Sequence, residues 1–178
     1  MSKRRRMGAT ALKFSDSGNG RCRWCDREVP PPKVSFCGKA CVHEWRVRRD
    51  SQYVRSCLRR RDKGHCSFCG EDAIAIYKKF QNACTVKQKI LKDKGLKGKK
   101  LKEKMSEFVD SLCVRIMWPK IGKWEREGSF WQADHILGVA DGGGECGLEN
   151  YQTLCLPCHR RKTNIENKIR REQKNKTK

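Results

Sequence analysis

The stretch 131–163, WQADHILGVADGGGECGLENYQTLCLPCHRRKT, gathers Asp134-His135, a glycine-rich turn, Asn150 and Cys158-His159 into one short span. Each of these is a weak signal alone. Together they make a metal-plus-base constellation. Neighbouring residues on a strand point to opposite sides. One of Asp134 and His135 can therefore bind a metal while the other faces a water. His159, next to the last cysteine pair, could supply the second ligand. An unperturbed imidazole titrates near about 6.5, so His135 can take a proton from water at neutral pH.

The twelve cysteines include three C-x2-C pairs, Cys22/Cys25, Cys66/Cys69 and Cys155/Cys158. Two intervening residues let both thiolates of a knuckle turn toward one ion, and zinc takes four ligands in a tetrahedron. Cys22, Cys25, Cys37 and Cys41 form a local quartet. Cys66, Cys69, Cys155 and Cys158 form a second quartet with a long gap, which would tie the middle of the chain to its C-terminal part. The alternative is that some are ordinary buried cysteines, which behave as small hydrophobes. His43 and His65 lie close to the quartets and read as bystanders. Cys57, Cys84, Cys113 and Cys146 read as free thiols.

Taken in order, D-H…N…C-x2-C-H resembles the HNH, or ββα-metal, nuclease motif over about residues 131–163. The knuckle at 66–70, CSFCG, resembles the zinc half-site of many HNH proteins. The segment from FCGKACVHEW to CSFCG is similar to the upstream zinc module of one HNH subgroup. That subgroup includes the nuclease domain of the eukaryotic annealing helicase with a Ran-binding-type zinc finger. The resemblance covers 21–163 apart from an insert at about 73–128. It implies that Asp134 and His159 hold one divalent cation, magnesium or manganese. It makes His135 the general base, and Asn150 the residue that fixes the loop and the His135 backbone by hydrogen bonds. It implies two structural zinc ions and a DNA substrate, double-stranded or branched. Some HNH proteins carry a further histidine one helical turn after the last motif histidine. Here that position is Thr163. Two protein ligands with open positions suit a hard cation that keeps its waters.

These residues need a scaffold, and the pattern predicts an α+β one. Residues 130–137 and 151–156 suit two strands, with a loop at 138–149. From Pro157 the chain can enter a helix, because proline is tolerated in a first turn. Residues 42–62 read as helix with a break near Asp50-Ser51, where either residue could cap a second segment. Residues 103–117 have helical apolar spacing. The Lys/Gly-rich 86–104 reads as an exposed, mobile spacer. Residues 1–20 read as a disordered basic N-terminus and 167–178 as a fraying basic tail. The domain reading is a zinc module with basic helical connector at 21–62 and an HNH domain at 63–166. Trp131 is expected to be buried; the other tryptophans are read mostly as core.

The composition bounds the rest. The 178 residues carry 42 Lys+Arg against 20 Asp+Glu, a net charge of +22. That favours a polyanionic partner, because each phosphate contact releases counterions. Residues 132–159 break the trend, with four acids and no Lys or Arg. An island that avoids cationic side chains in so basic a chain suits a segment that holds a cation. Candidate DNA-binding residues are Arg46, Arg48, Arg49, Arg55, Arg59, Arg60, Arg61, Arg160, Arg161 and Lys162. No apolar run approaches the roughly 18 residues that span a bilayer, so no membrane role is read. No apolar stretch of signal-peptide length follows the basic start, so the expected location is intracellular, with KRRR at 3–6 fitting a nuclear address. The leading expectation is a metal-dependent DNA endonuclease. The competing one is a non-catalytic zinc-dependent nucleic-acid-binding module; a protein-interaction adaptor would explain the cysteines but not the D-H…N…H order.

Overall fold

The computed structural model describes residues 12–115 and 129–176. Trp118, Trp124, the Cys113 side chain and residues 1–11 lie outside the described set. The described chain is a mixture of helices and two small sheets, an α+β architecture. It divides into two compact units. One takes residues up to Val54 together with 145–148; the other takes 55–144 and 149–178, so the division falls within a helix.

In the first unit, β1 (Gly20–Arg21) and β2 (Glu28–Val29) pair antiparallel around the Cys22–Cys25 turn. Cys22 N–H donates to the Arg27 carbonyl at 2.8 Å and closes the turn. Helix α1 (Lys39–Arg49) follows, and Val47 joins Val29 and Cys22 in the buried set. Asp50 separates α1 from α2 (Ser51–Asp62) in the way its side chain allows. Its backbone is extended, and its N–H still closes onto the Arg46 carbonyl. Its carboxylate accepts from the Tyr53 N–H at 3.0 Å, which caps the next helix. The expected disorder of residues 1–20 does not extend to 13–20. Arg21 N–H bonds the Lys13 carbonyl, Phe14 bridges to Gly20, and Ser15, Ser17 and Asn19 all donate to the Glu28 carboxylate. A Ser/Asn cluster is a turn signal, but here it is also a set of donors for one carboxylate, led by Ser17, which holds Glu28 below its usual range.

In the second unit, β3 (Trp131–His135) pairs antiparallel with β4 (Tyr151–Cys155), placing Asp134 opposite Gln152 and His135 opposite Tyr151. Helix α5 (Leu156–Lys176) leaves β4 directly and packs on both strands. It runs as helix to Lys176, into the region expected to fray. Phe130, Leu58 and Leu154 are fully buried, and Phe130 meets the rings of Tyr77 and Phe80 at 5.0 and 5.1 Å. Trp131 is buried, as expected.

The Lys-rich insert overturns its expectation. Residues 86–104 are not a mobile spacer; they run through the end of α3 (Ala73–Asp93), a short turn at 94–97 and the start of α4 (Gly98–Arg115), and the two helices pack against each other. Lysine and leucine are good helix formers. Phe80 and Leu91 on α3, with half-buried Leu101, Met105 and Phe108 on α4, supply an apolar stripe that the net charge conceals. Lysine stems can cover such a stripe while their ammonium groups stay wet, and Lys87 lies 5.3 Å from the Phe108 ring. Asp72 caps α3 by accepting from the Ile74 and Ala75 N–H groups.

Candidate active site and cysteine clusters

The two quartets expected from spacing are each brought together. Within each, all four sulfurs lie within 4.8 Å of one another. Cys25 and Cys37 sulfurs are 3.6 Å apart, Cys37 and Cys41 3.3 Å, and Cys69 and Cys155 3.7 Å. Four ligands about 2.3 Å from one zinc, tetrahedrally arranged, would have sulfurs roughly 3.8 Å apart. The donor set and spacing therefore fit zinc, and they are far from a disulfide's roughly 2 Å. Electrostatics point the same way. Burial works to raise the Cys22 thiol, but backbone donors from Cys25, Cys37 and Trp24 outweigh it and bring it to about 6. Cys66 is brought to about 7 against burial by the backbone groups of Cys155, Cys69 and Phe68. Cys41, packed against the Cys37 sulfur, is pushed up to about 12, and burial pushes Cys158 up to about 11. One thiolate in each cluster thus raises the cost of a second, a conflict that a dication resolves. His43 bonds the Tyr53 hydroxyl and His65 the Asp62 carbonyl; neither joins a quartet.

The second quartet does structural work for the hairpin. Cys66 and Cys69 stand before α3, Cys155 ends β4, and Cys158 lies in the first turn of α5. The knuckle is stitched to β4 by the Ser67 N–H on the Thr153 carbonyl at 2.9 Å. This anchor fixes where α5 starts and hence where His159, the next residue, faces.

His159 Nε2 lies 3.6 Å from Asp134 Oδ1. Two ligands each about 2.1 Å from one ion can be at most roughly 4.2 Å apart, so the pair fits a single shared cation. The other oxygen, Oδ2, is already engaged. It accepts from Gln152 Nε2 at 3.0 Å, across the register pair, and lies 2.9 Å from Lys162 Nζ. His135, beside Asp134, lies on the other side of the strand by alternation. Its ring centroid lies 4.3 Å from that of Tyr151, its register partner, with the two planes tilted by 41°.

Asn150 does less and more than expected. Its side chain holds the loop, accepting from the Leu137 N–H at 2.8 Å and donating to the carbonyls of Leu137 and Gly143, both at 3.1 Å. It makes no side-chain bond to the His135 backbone. That carbonyl is taken by Lys162 Nζ at 2.7 Å. Gly143 is required here: a Cβ would collide with the Leu137 carbonyl and come within 2.8 Å of the Asn150 amide.

The basic candidates separate into two sets. Arg59, Arg60, Arg160 and Arg161 are exposed. Lys162 is only 12% exposed and lies between Asp134 and Glu166, not on the surface. Arg55 bonds Ser129 and lies 4.2 Å over the Trp131 ring. Arg61 pairs with Asp62 and caps the Tyr151 carbonyl. Within the first unit, Arg46 pairs with Asp50, Arg48 with Glu44, and exposed Arg49 lies by Trp45. The inward role of Lys162 was legible in principle. Positions 159, 162 and 166 share one helix face by their spacing of three and four, but a lysine after two arginines reads as surface charge.

The family described as HNH endonuclease matches residues 122–164. The chain is 31% identical to "DNA annealing helicase and endonuclease ZRANB3" of Bos taurus over 83% of its length, covering 13% of that protein. It is 32% identical to the Mus musculus protein of the same name over 72% of its length, and 28% identical to the Homo sapiens one over 83%. The chain spans about an eighth of the length of these curated relatives. No solved structure gives a significant match. With the D-H…N…C-x2-C-H order set on a β-hairpin and the helix after it, and two cysteine quartets alongside, the chain belongs to the HNH endonuclease family, in the subgroup with an accompanying cysteine module.

Proposed function

We propose that the chain is a divalent-metal-dependent DNA endonuclease that hydrolyses phosphodiester bonds at the β3–β4–α5 site. The observation that carries this reading is the approach of His159 Nε2 to Asp134 Oδ1 beside His135. Bound between those two ligands, magnesium or manganese would supply Lewis-acid stabilisation of the charge on the scissile phosphate and the leaving oxygen. His135 takes a proton from water at a ring nitrogen as the water oxygen attacks phosphorus. The P–O3′ bond breaks and the departing O3′ takes a proton from solvent, leaving 5′-phosphate and 3′-hydroxyl ends. The Tyr151 ring packs against the base, and the carbonyl bond from Lys162 holds its backbone. Asn150 holds the turn that follows. Exposed Arg59, Arg60, Arg160 and Arg161 supply backbone affinity, which positions DNA without reading its sequence. The named relatives join endonuclease to annealing helicase, and this supports branched or forked DNA as substrate and the nucleus as location. Among the described residues, no helix is long and apolar enough to cross a membrane.

The test is cleavage of supercoiled plasmid, then of forked duplexes, by zinc-loaded protein with magnesium or manganese, with His135→Ala in parallel. Cleavage by wild type alone is expected. Equal cleavage by both would sink the role of His135. Metal-independent binding without cutting on any substrate would favour the non-catalytic nucleic-acid-binding reading.

A further inference from the structure

We propose that Lys162 is the resident counter-ion of this site: it confines Asp134 to presenting one oxygen, and it keeps affinity for a divalent ion low until a phosphate oxygen joins. The inference rests on the metal-site reading above and adds what sets the occupancy of that site.

An ammonium group has three N–H donors and no acceptor. Among the described residues, three groups lie within reach of Lys162 Nζ: Glu166 Oε1 at 2.6 Å, the His135 carbonyl at 2.7 Å and Asp134 Oδ2 at 2.9 Å. The donor inventory is thereby filled inside the protein, at a side chain only 12% exposed, whereas Lys99 and Lys168 are 91% and 79% exposed. One group therefore ties the candidate metal ligand, the backbone of the candidate base and Glu166 in the third turn of α5 together. With Gln152 Nε2 also on Oδ2, the free oxygen of Asp134 is Oδ1, the one facing His159.

Charge decides the second half of the proposal. Asp134 and Glu166 carry two negative charges, and Lys162 cancels one. Arg170 reaches Glu166 at 3.3 Å and Asp141 at 3.7 Å, so those three acids and two bases net a single negative charge. A hard dication is held by charge and by oxygen ligands, and partly buried charges a few ångströms apart interact strongly. The free site is short of both. A phosphodiester brings the missing negative charge and an oxygen ligand. Ion and DNA should then each raise the other's affinity by the same factor, because such coupling is reciprocal.

The experiment is a manganese titration of the zinc-loaded full chain, reading free manganese by electron paramagnetic resonance, with and without a duplex oligonucleotide in a non-cutting His135→Ala background. Added DNA should strengthen manganese binding by at least about tenfold. Without DNA, Lys162→Met should bind manganese at least about tenfold more tightly, and its gain from DNA should shrink. Lys162→Arg should stay near the parent, and Lys162→Met with Glu166→Gln, which restores the net charge, should return toward it. Manganese affinity that is unchanged or weaker in a folded Lys162→Met protein overturns the proposal. So does an absence of coupling to DNA in the parent, which does not depend on any Lys162 variant folding. Asp134→Asn separates the two readings: if it binds manganese as the parent does, the metal-site reading itself fails, whereas if it loses binding while Lys162→Met gains nothing, only the counter-ion role is lost.

Discussion

Asp134 Oδ1 and His159 Nε2 stand 3.6 Å apart although one lies near the end of a strand and the other in the first turn of a helix. Neither residue chooses that distance. The hairpin register places Asp134, and the Cys155–Cys158 turn places His159. If these two hold the ion and His135 moves the proton, His135→Ala should leave manganese and zinc binding intact. It should lower plasmid cleavage by about 100-fold to 10,000-fold, the usual worth of a general base. Asp134→Asn should lower both cleavage and manganese binding.

Asn150→Ala should loosen the turn after β3. It strips partners from the Leu137 N–H and from the Leu137 and Gly143 carbonyls. Leaving such groups unpaired costs about 1–3 kcal/mol where water cannot replace the bond. Water can reach two of the three bonds, so a melting temperature lower by about 2–4 °C is expected at this chain length, with a larger loss of cleavage than of DNA binding. Gly143→Ala should behave similarly, since its Cβ meets the Leu137 carbonyl and the Asn150 amide.

Zinc binding should expel protons. In the first quartet Cys37 is raised and Cys41 stands at about 12; in the second, Cys155 is raised and Cys158 stands at about 11. All are protonated thiols at neutral pH without the ion, and zinc binds thiolates. Each site should therefore release at least two protons at neutral pH. The sign follows: affinity falls as pH falls, by about 100-fold or more per pH unit in that range. Calorimetry in buffers of different ionisation enthalpy measures the count. Release of fewer than two protons per zinc would contradict these thiol environments.

Asp62→Ala should weaken the second unit away from the site. Thr153, 1% exposed, donates its hydroxyl to Asp62 at 2.7 Å, and Arg61 pairs with the same carboxylate. Burial works to raise Asp62, but Arg61 and Thr153 outweigh it and hold the carboxyl below its usual range. Removing it orphans a buried hydroxyl, at a cost of about 1–3 kcal/mol. Chemical denaturation of the zinc-loaded chain at neutral pH reads that loss, and Thr153→Val should recover part of it by removing the orphan.

Much of the site was legible from residue types and spacing. The cysteine pairs name their quartets because zinc accepts few donor types and one geometry. The strand–loop–strand–helix order around Asp134 and His159 follows from local alternation, glycine and proline, all short-range signals. The break at Asp50 was legible for the same reason, since one carboxylate both ends and begins a helix. The Lys-rich helical hairpin was not, because its stripe of Phe80, Leu91, Met105 and Phe108 becomes apolar surface only when two segments meet. Nor was the task of Arg55, and helix spacing puts Lys162 on the face of His159 and Glu166 without naming its partners across the hairpin. A sequence shows that a side chain is cationic; whether it faces solvent or a carboxylate across a hairpin depends on contacts between distant segments. The amino-acid order determined which groups are available for metal and proton chemistry. The tertiary structure decided that one oxygen of Asp134 meets Gln152 and Lys162 while the other faces His159, and that the same lysine bonds the His135 carbonyl, because electrostatic partnership is set by distance in space.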